Sequence, residues 1–312
     1  MGVRRPGQPP REAVSRRAEE QAPTNVAALR RDARRERAVL WLLFSPAILL
    51  VGVFLILPVG WLFWLSIVQE SQLSLVHYVR MAQYSSYLNI LVTTLRVSAI
   101  VTIVCVLLGY PVAYLIAQLP RRLAVLCLSL VIIPFWTSVL VRSYAWLILL
   151  NAHGPVNSLL LGLQLVAQPL DLLFNETGAI IGMVYIMLPF SVLPLYGVVS
   201  SFDWNLMQAA SSLGAPPVSA FLRVFLPLSL PGVAAGAVLV FVQSLGFYVT
   251  PAILGGGKVT MVAMKIASNV REYFEWGAAS ALGVVLLVSA LSVLFLAARL
   301  LGFERALGMK GE

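Results

Sequence analysis

Charged side chains are what this 312-residue sequence has least of: Lys, Arg, Asp and Glu together make 11% of it, against about 25% in a soluble globular domain. Hydrophobic residues make up 60%, so a soluble domain is excluded and the chain reads as an integral membrane protein. Histidine is nearly absent. His77 and His153 both lie outside the apolar runs, and neither an HExxH spacing nor a buried Ser/His pair occurs, which removes metal-protease and serine-protease chemistry and leaves no metal site. The two cysteines, Cys105 and Cys127, fall within apolar runs. They imply no disulfide framework and read as small core residues. No GxxxxGK[ST] is present, so the chain has no nucleotide-binding P-loop of its own. No Asp or Glu lies inside any apolar run. That absence counts against an autonomous secondary transporter or channel, which needs coupling carboxylates at membrane depth.

What is present falls into six apolar runs of membrane-spanning length, near 39–67, 90–119, 123–150, 178–200, 225–253 and 277–301. They predict an all-α membrane protein of six transmembrane helices: a first span at 39–67, then a core of five over 90–301. Residues 1–38 carry ten Arg and five acidic residues with few large apolar side chains. This predicts a disordered basic tail that holds the first span by its attraction to an anionic leaflet rather than binding nucleic acid. Sixteen basic residues fall on the N-terminal side of the alternating topology, including Arg121, Arg122, Arg223 and Arg299, and four on the other, Arg80, Lys258, Lys265 and Arg271. The positive-inside rule therefore predicts that both termini, including a short tail over 302–312, are cytoplasmic.

Between the fourth and fifth runs lies a polar, Pro-punctuated island, QAASSLGAPPVSAFLRVFLP from Gln208 to Pro227. Asn205 is placed to cap a short helix over Leu206 to Leu213, and Gly214 suits a left-handed turn ending it. Pro216 and Pro217 cannot continue that helix but fit the first turn of a second short one. Phe221, Leu222, Val224 and Phe225 give the second helix an apolar side, and Arg223 keeps it at a surface. The pattern Gln208-Ala209-Ala210, three residues, Gly214, nine residues, Val224-x-Leu226-Pro227 resembles the EAA loop of bacterial ABC importer permeases. That resemblance implies a cytoplasmic coupling helix seated in a cleft of an ATPase subunit, and it marks Gln208, Ala209, Ala210, Gly214, Ala215, Phe221, Arg223, Leu226 and Pro227 as the residues coupling to the ATPase. The family usually has Glu where Gln208 stands, so docking here is expected to rest on shape and apolar contact more than on charge.

The spans carry further features. Pro111 in the second, Pro189 and Pro194 in the fourth and Pro231 in the fifth predict kinks, and the small residues from Gly277 to Gly283 predict close packing of the sixth. Arg142 lies within the third run, where a charge costs at least about 2.5 kcal/mol. Either it snorkels or the helix breaks after Pro134, or it faces the transport path. Arg96 reads as a snorkelling residue. Asn175 or Thr177 is expected to cap the fourth span.

GYPVAY at 109–114, PFWTSVLVRSYAW at 134–146, the fourth span through Leu195-Tyr196, the Gln208 loop and FYVTPAILGGGK at 247–258 are similar, in the same order, to the PotB-type permeases of spermidine/putrescine importers. The resemblance runs from about residue 90 to about 285. It implies the type I ABC importer permease architecture in a bacterial inner membrane: a non-enzymatic subunit paired with a second, PotC-like permease, above an ATPase dimer that binds ATP and Mg, with a periplasmic substrate-binding protein delivering the solute. No cofactor is expected in this subunit. The resemblance leaves another small solute of the same importer class, such as an opine, a phosphonate or iron, as the alternative to a polyamine. For a polyamine cation, ring faces and carboxylates are expected along the path. Trp136, Tyr185 and Tyr248 are candidates for the cavity and Asp171 and Glu176 for its mouth, each also readable as interface belt, core aromatic or helix cap. Arg142 in the path would argue instead for an anionic solute.

Overall fold

The computed structural model describes residues 35–36, 39–69 and 72–300. The rest of the tail predicted over 1–38 and the short tail over 302–312 lie outside the described residues. Internal contacts divide the chain into two units, Met1–Trp61 and Leu62–Glu312. The described part of the first is the greater length of helix α1 (Val39–Ile67), interrupted by one π turn at Gly52–Ile56. No residue of its most apolar stretch is buried.

The second unit begins with the end of α1 and a two-residue antiparallel ladder, β1 (Val68–Gln69) with β2 (Gln72–Leu73). An amphipathic helix, α2 (Val76–Gln83), follows, so the segment after the first span has more structure than its polar sequence indicates. Tyr78 Oη donates to Ser66 Oγ at 2.9 Å while Ser66 Oγ donates to the Phe63 carbonyl at 2.7 Å. One hydroxyl thus pins α2 to the helix before it.

Three long helices form the core: α3 (Ser85–Gln118), α7 (Glu176–Ser200) and α9 (Pro217–Leu245). Val97, Val101 and Cys105 of α3 meet Met183, Ile186 and Met187 of α7 and Val240 of α9 in one buried cluster. The helices approach closely because glycine faces Ser191 from two sides. A Cβ on Gly236 would sit 3.0 Å from the Ser191 carbonyl oxygen, and one on Gly109 would sit 2.8 Å from its hydroxyl. Small residues at a helix interface allow this contact in a membrane, where packing rather than the hydrophobic effect drives association. Pro111 lies inside α3 and Pro189 and Pro194 inside α7 without ending either helix.

The predicted third span is not a single rod. It consists of α4 (Arg121–Ile132), a 3-10 turn at Ile133–Trp136 and α5 (Val139–Leu149), with an angle of 100° between the two helical segments. Pro134 in the turn removes a backbone donor, and the chain leaves the helical region three residues later, where Thr137 and Ser138 are extended. Five described helices are long and apolar enough to cross a membrane, and the bent pair makes a sixth if it counts as one span. After α6 (Pro155–Gly162), Asn175 caps α7 as expected, its Oδ1 accepting from Gly178 N at 2.9 Å. The predicted fifth span is also revised. It begins at Pro217 and ends at Leu245, and residues 249–254 form a separate helix, α10 (Val249–Leu254). Two helices complete the fold, α11 (Val262–Arg271) and α12 (Trp276–Leu300). Ala279, Ser280 and Ala281 are buried on α12, and the His77 ring of α2 lies against Gly277, so the small-residue run serves packing.

Candidate functional site

The polar island folds as helix, elbow, helix, but its details differ from the expected ones. Helix α8 (Asn205–Ser212) is capped by Asp203, whose Oδ1 accepts from Asn205 N at 3.0 Å, and the Asn205 side chain does not cap. Asp203 is placed two residues upstream and reaches the first free amide of the turn. At the other end Ala215 N bonds to the Ala210 carbonyl at 3.1 Å and Gly214 N to the Ser211 carbonyl at 2.9 Å. With Gly214 at φ +82° this is a Schellman ending, which requires the left-handed residue that glycine supplies. No heavy atom lies within 4 Å of a Cβ built on Gly214, so backbone conformation alone sets the requirement.

Pro216 is extended and Pro217 opens the next helix, as predicted. That second helix is not short. It passes through a π turn at Phe221–Phe225 and continues without interruption as α9. The elbow and a core helix are therefore one continuous element.

An aromatic cluster fastens this element to α3. Phe225 is 1% exposed. It stacks on Trp204 at 5.6 Å and on Phe221 at 5.4 Å, and meets the edges of Phe202 at 4.9 Å and Tyr114 at 5.1 Å. Tyr110 completes the cluster 6.2 Å from Phe221. Tyr110 Oη also lies 2.9 Å from Ser229 Oγ. Because Ser229 Oγ donates its hydrogen to the Leu226 carbonyl at 2.9 Å, Tyr110 must be the donor. GYPVAY and the Gln208 loop, 100 residues apart, thus form one structure. Phe221, expected from the resemblance to be a coupling residue, and Phe225, on the apolar side of the same helix, turn inward. The outward face instead presents Leu213, Val218 and Leu222, with Leu213 88% exposed. Gln208, Ala209, Arg223 and Pro227 are exposed beside them, while Ala210, Ala215 and Leu226 are half-buried. Leu213 and Val218 escaped the sequence reading because an apolar residue on a short helix looks alike whether it faces in or out.

The six pathway candidates are not brought together. Trp136 is 88% exposed in the 3-10 turn. Tyr185 packs edge-on against Trp146 at 5.4 Å. Glu176 forms an ion pair with Arg96, so Arg96 has a partner rather than only reaching for the interface. Asp171 is exposed, and its backbone carbonyl accepts from Asn175 Nδ2 at 2.6 Å. Arg142 is 8% exposed on α5, with its Nε unpaired among the described residues, and the helix does break after Pro134. Next to it Ser143 Oγ and Thr250 Oγ1 lie 2.8 Å apart and tie α5 to α10. Tyr248 alone lines a cavity of about 740 Å³, shared with Tyr84, Tyr87, Lys265, Arg271 and Glu272. That cavity and the aromatic cluster are at opposite ends of α3. Tyr87 and Tyr114 are 27 positions apart in it, about 40 Å along a helix.

Residues 106–303 match the family described as binding-protein-dependent transport system inner membrane component. The chain belongs to that family. Its members are membrane components of transport systems, and this permease is a multi-pass inner-membrane protein rather than an enzyme. Among relatives, it is 36% identical over 207 residues to the spermidine/putrescine transport system permease protein PotB of Haemophilus influenzae, 66% of this chain and 72% of that one. It is 35% identical over 211 residues to PotB of Escherichia coli, 67% and 77% of the two chains. The molybdenum transport system permease protein ModB of Mycobacterium bovis is 32% identical over 211 residues, 67% and 78%. The fold is shared with a chain of a bacterial alginate ABC transporter crystallised with an alginate pentasaccharide-bound periplasmic protein. The TM-score is 0.68 at 17% sequence identity, over 89% of this chain and 98% of that chain. The type I importer permease architecture expected from the coupling loop is therefore the fold of this permease.

Proposed function

We propose that this permease is one membrane subunit of an ATP-driven importer of polyamines of the spermidine/putrescine type. The PotB relatives supply the substrate class, and the elbow supplies the mechanism. In this reading Gln208 to Pro227 lies in the cytoplasm, as do both termini, and its exposed Leu213, Val218 and Leu222 face enters a cleft of an ATPase dimer. A second, PotC-like permease completes the membrane domain, and a periplasmic substrate-binding protein delivers the solute. ATP and Mg belong to the ATPase, and this subunit carries no cofactor.

The observation that carries the reading is the continuity of the elbow with α9 and its aromatic attachment to α3. Closure of an ATPase dimer pushing on Leu213 and Val218 would move two core helices as one body, which is what a hinge-type switch between outward and inward cavities requires. Gln208 is exposed at the start of this surface and brings no charge, so apolar contact dominates the docking.

The test is uptake of labelled spermidine by proteoliposomes holding the full complex. Uptake is expected only with ATP and the binding protein. Uptake driven by an ion gradient without ATP would overturn the importer assignment. A second reading, an oxyanion solute, is favoured by Arg142 and by the Lys265 and Arg271 side chains at the cavity. Molybdate uptake in the same vesicles, without spermidine uptake, would establish it.

A further inference from the structure

The cavity at the far end of α3 contains an unusual arrangement of charge. The Lys265 ammonium lies 5.0 Å from the Tyr273 ring centroid and 5.9 Å from that of Tyr87. Ring faces attract an ammonium within about 6 Å. Glu272 lines the same cavity, yet among the described residues Lys265 forms no ion pair. The Glu272 carboxylate instead accepts from Ser268 Oγ at 3.0 Å. Lys265, Ser268 and Glu272 follow one another at helical spacing on one face. The parts of an ammonium receptor are thus present together, the Tyr87 ring and the Glu272 carboxylate in the cavity wall and the exposed Tyr273 ring outside it, and a side chain of the protein occupies the rings. The cavity, about 740 Å³, is large enough for a small solute.

We propose that Lys265 is a tethered ammonium that keeps an alkylammonium site closed. The Tyr87 and Tyr273 rings form the site, Glu272 is its counter-charge, and a primary ammonium of the solute takes it by displacing Lys265. This inference rests on the polyamine reading and adds to it a specificity device at the end of the bundle opposite the elbow. An aromatic site occupied by a cation of the protein excludes neutral solutes, which cannot replace the lost attraction. It also sets the half-saturating concentration of a cationic one. A purely structural Lys265, anchoring α11 to α3, would be indifferent to free amines.

The test uses the whole complex with the lysines of this subunit dimethylated with carbon-13, a change that keeps their charge. The Lys265 signal, identified by its loss in Lys265→Arg, is expected to be displaced upfield by the two rings. Addition of n-butylammonium should move it to the solvent position. A signal at the solvent position from the start, or one unmoved by saturating n-butylammonium, overturns the proposal. In transport, Lys265→Met is expected to lower the half-saturating spermidine concentration about fivefold, and Lys265→Arg, which keeps a cation over the rings, to lower it far less. An unchanged half-saturating concentration in Lys265→Met also overturns it. If the wild-type complex moves no spermidine, the polyamine reading falls while the n-butylammonium titration still decides the site. If it moves spermidine but the signal does not respond, the site falls and the polyamine reading stands.

Discussion

The two ends of α3 are held by different physics. At the elbow end, Tyr110 and Tyr114 join Phe202, Trp204, Phe221 and Phe225 in a closed aromatic cluster with one hydroxyl bond inside it. At the other end, Tyr87 borders an open cavity lined by Lys265, Arg271 and Glu272, and the neighbouring contacts are a cation over rings and single polar bonds. Aromatic packing is short-ranged and cooperative, so it transmits displacement with little loss. Exposed polar and cation–π contacts are each worth about 1 kcal/mol or less and rearrange readily. The stiff end suits a push, and the loose end suits exchange of a solute.

Removing the hub should destroy this contrast most completely. Phe225→Ala deletes a side chain packed against five other rings, and a Phe→Ala change in a closed core costs about 3–5 kcal/mol. We expect ATP-driven uptake in proteoliposomes to fall more than tenfold, with the elbow becoming the first site of limited proteolysis. Uptake at the wild-type rate would mean that the cluster carries no displacement.

Gly214→Val should act next most strongly, and only through the backbone. A β-branched residue at φ +82° costs about 1–2 kcal/mol in the left-handed region. Insertion into the membrane should be normal while uptake per ATP hydrolysed falls several-fold, and Gly214→Asn, which tolerates that region, should lie close to wild type. Equal effects of Val and Asn would show that something other than φ is being read.

Tyr110→Phe is a finer cut. It removes a single bond of about 1 kcal/mol while leaving the ring in the cluster, and Ser229 keeps its own bond to the Leu226 carbonyl. Uptake should drop less than threefold. Ser229→Ala combined with Tyr110→Phe should be no worse than Ser229→Ala alone, which already removes the Tyr110 bond together with the bond to the Leu226 carbonyl. Additive losses would place the two residues in separate roles.

The readability of the sequence follows the same division. Gly214, Pro217 and Asn175 were legible because each answers a local backbone demand that few residues meet. The bend after Pro134 was visible as an alternative, but its size of 100° was not, since a proline tells where hydrogen bonding fails and not which way neighbours pull the chain. Phe225 and Leu222 could not be separated, because every face of an apolar helix entering a membrane reads the same until its neighbours are known. Asp203 was overlooked as the cap in favour of Asn205, two candidates that only the course of the chain distinguishes. Of the pathway aromatics, Tyr248 reaches the cavity, whereas Trp136 and Tyr185 are dispersed, because ring faces are spread among helices whose rotation the sequence does not specify.

The smallest effect expected is one of pH, and it belongs to the loose end alone. Residues 202–229 contain no histidine, whereas His77 on α2 lies against Gly277 with Nδ1 unpaired among the described residues. Burial, and then the Arg80 charge, lower its pKa from the ordinary 6.5, with Glu275 opposing them. The folded state thus binds the proton less readily than the unfolded one. The stability His77 contributes is complete above the unfolded value and is lost as pH falls through the lowered folded value. Acidification from pH 7 to pH 5 should therefore lower the Tm of the wild type more than that of His77→Gln, and loosen hydrogen-exchange protection at α2 and the start of α12 while that around Phe225 is unchanged. A pH response shared by both ends would mean that the bundle transmits loosening along α3, and that the stiff end is stiff only while the other is closed.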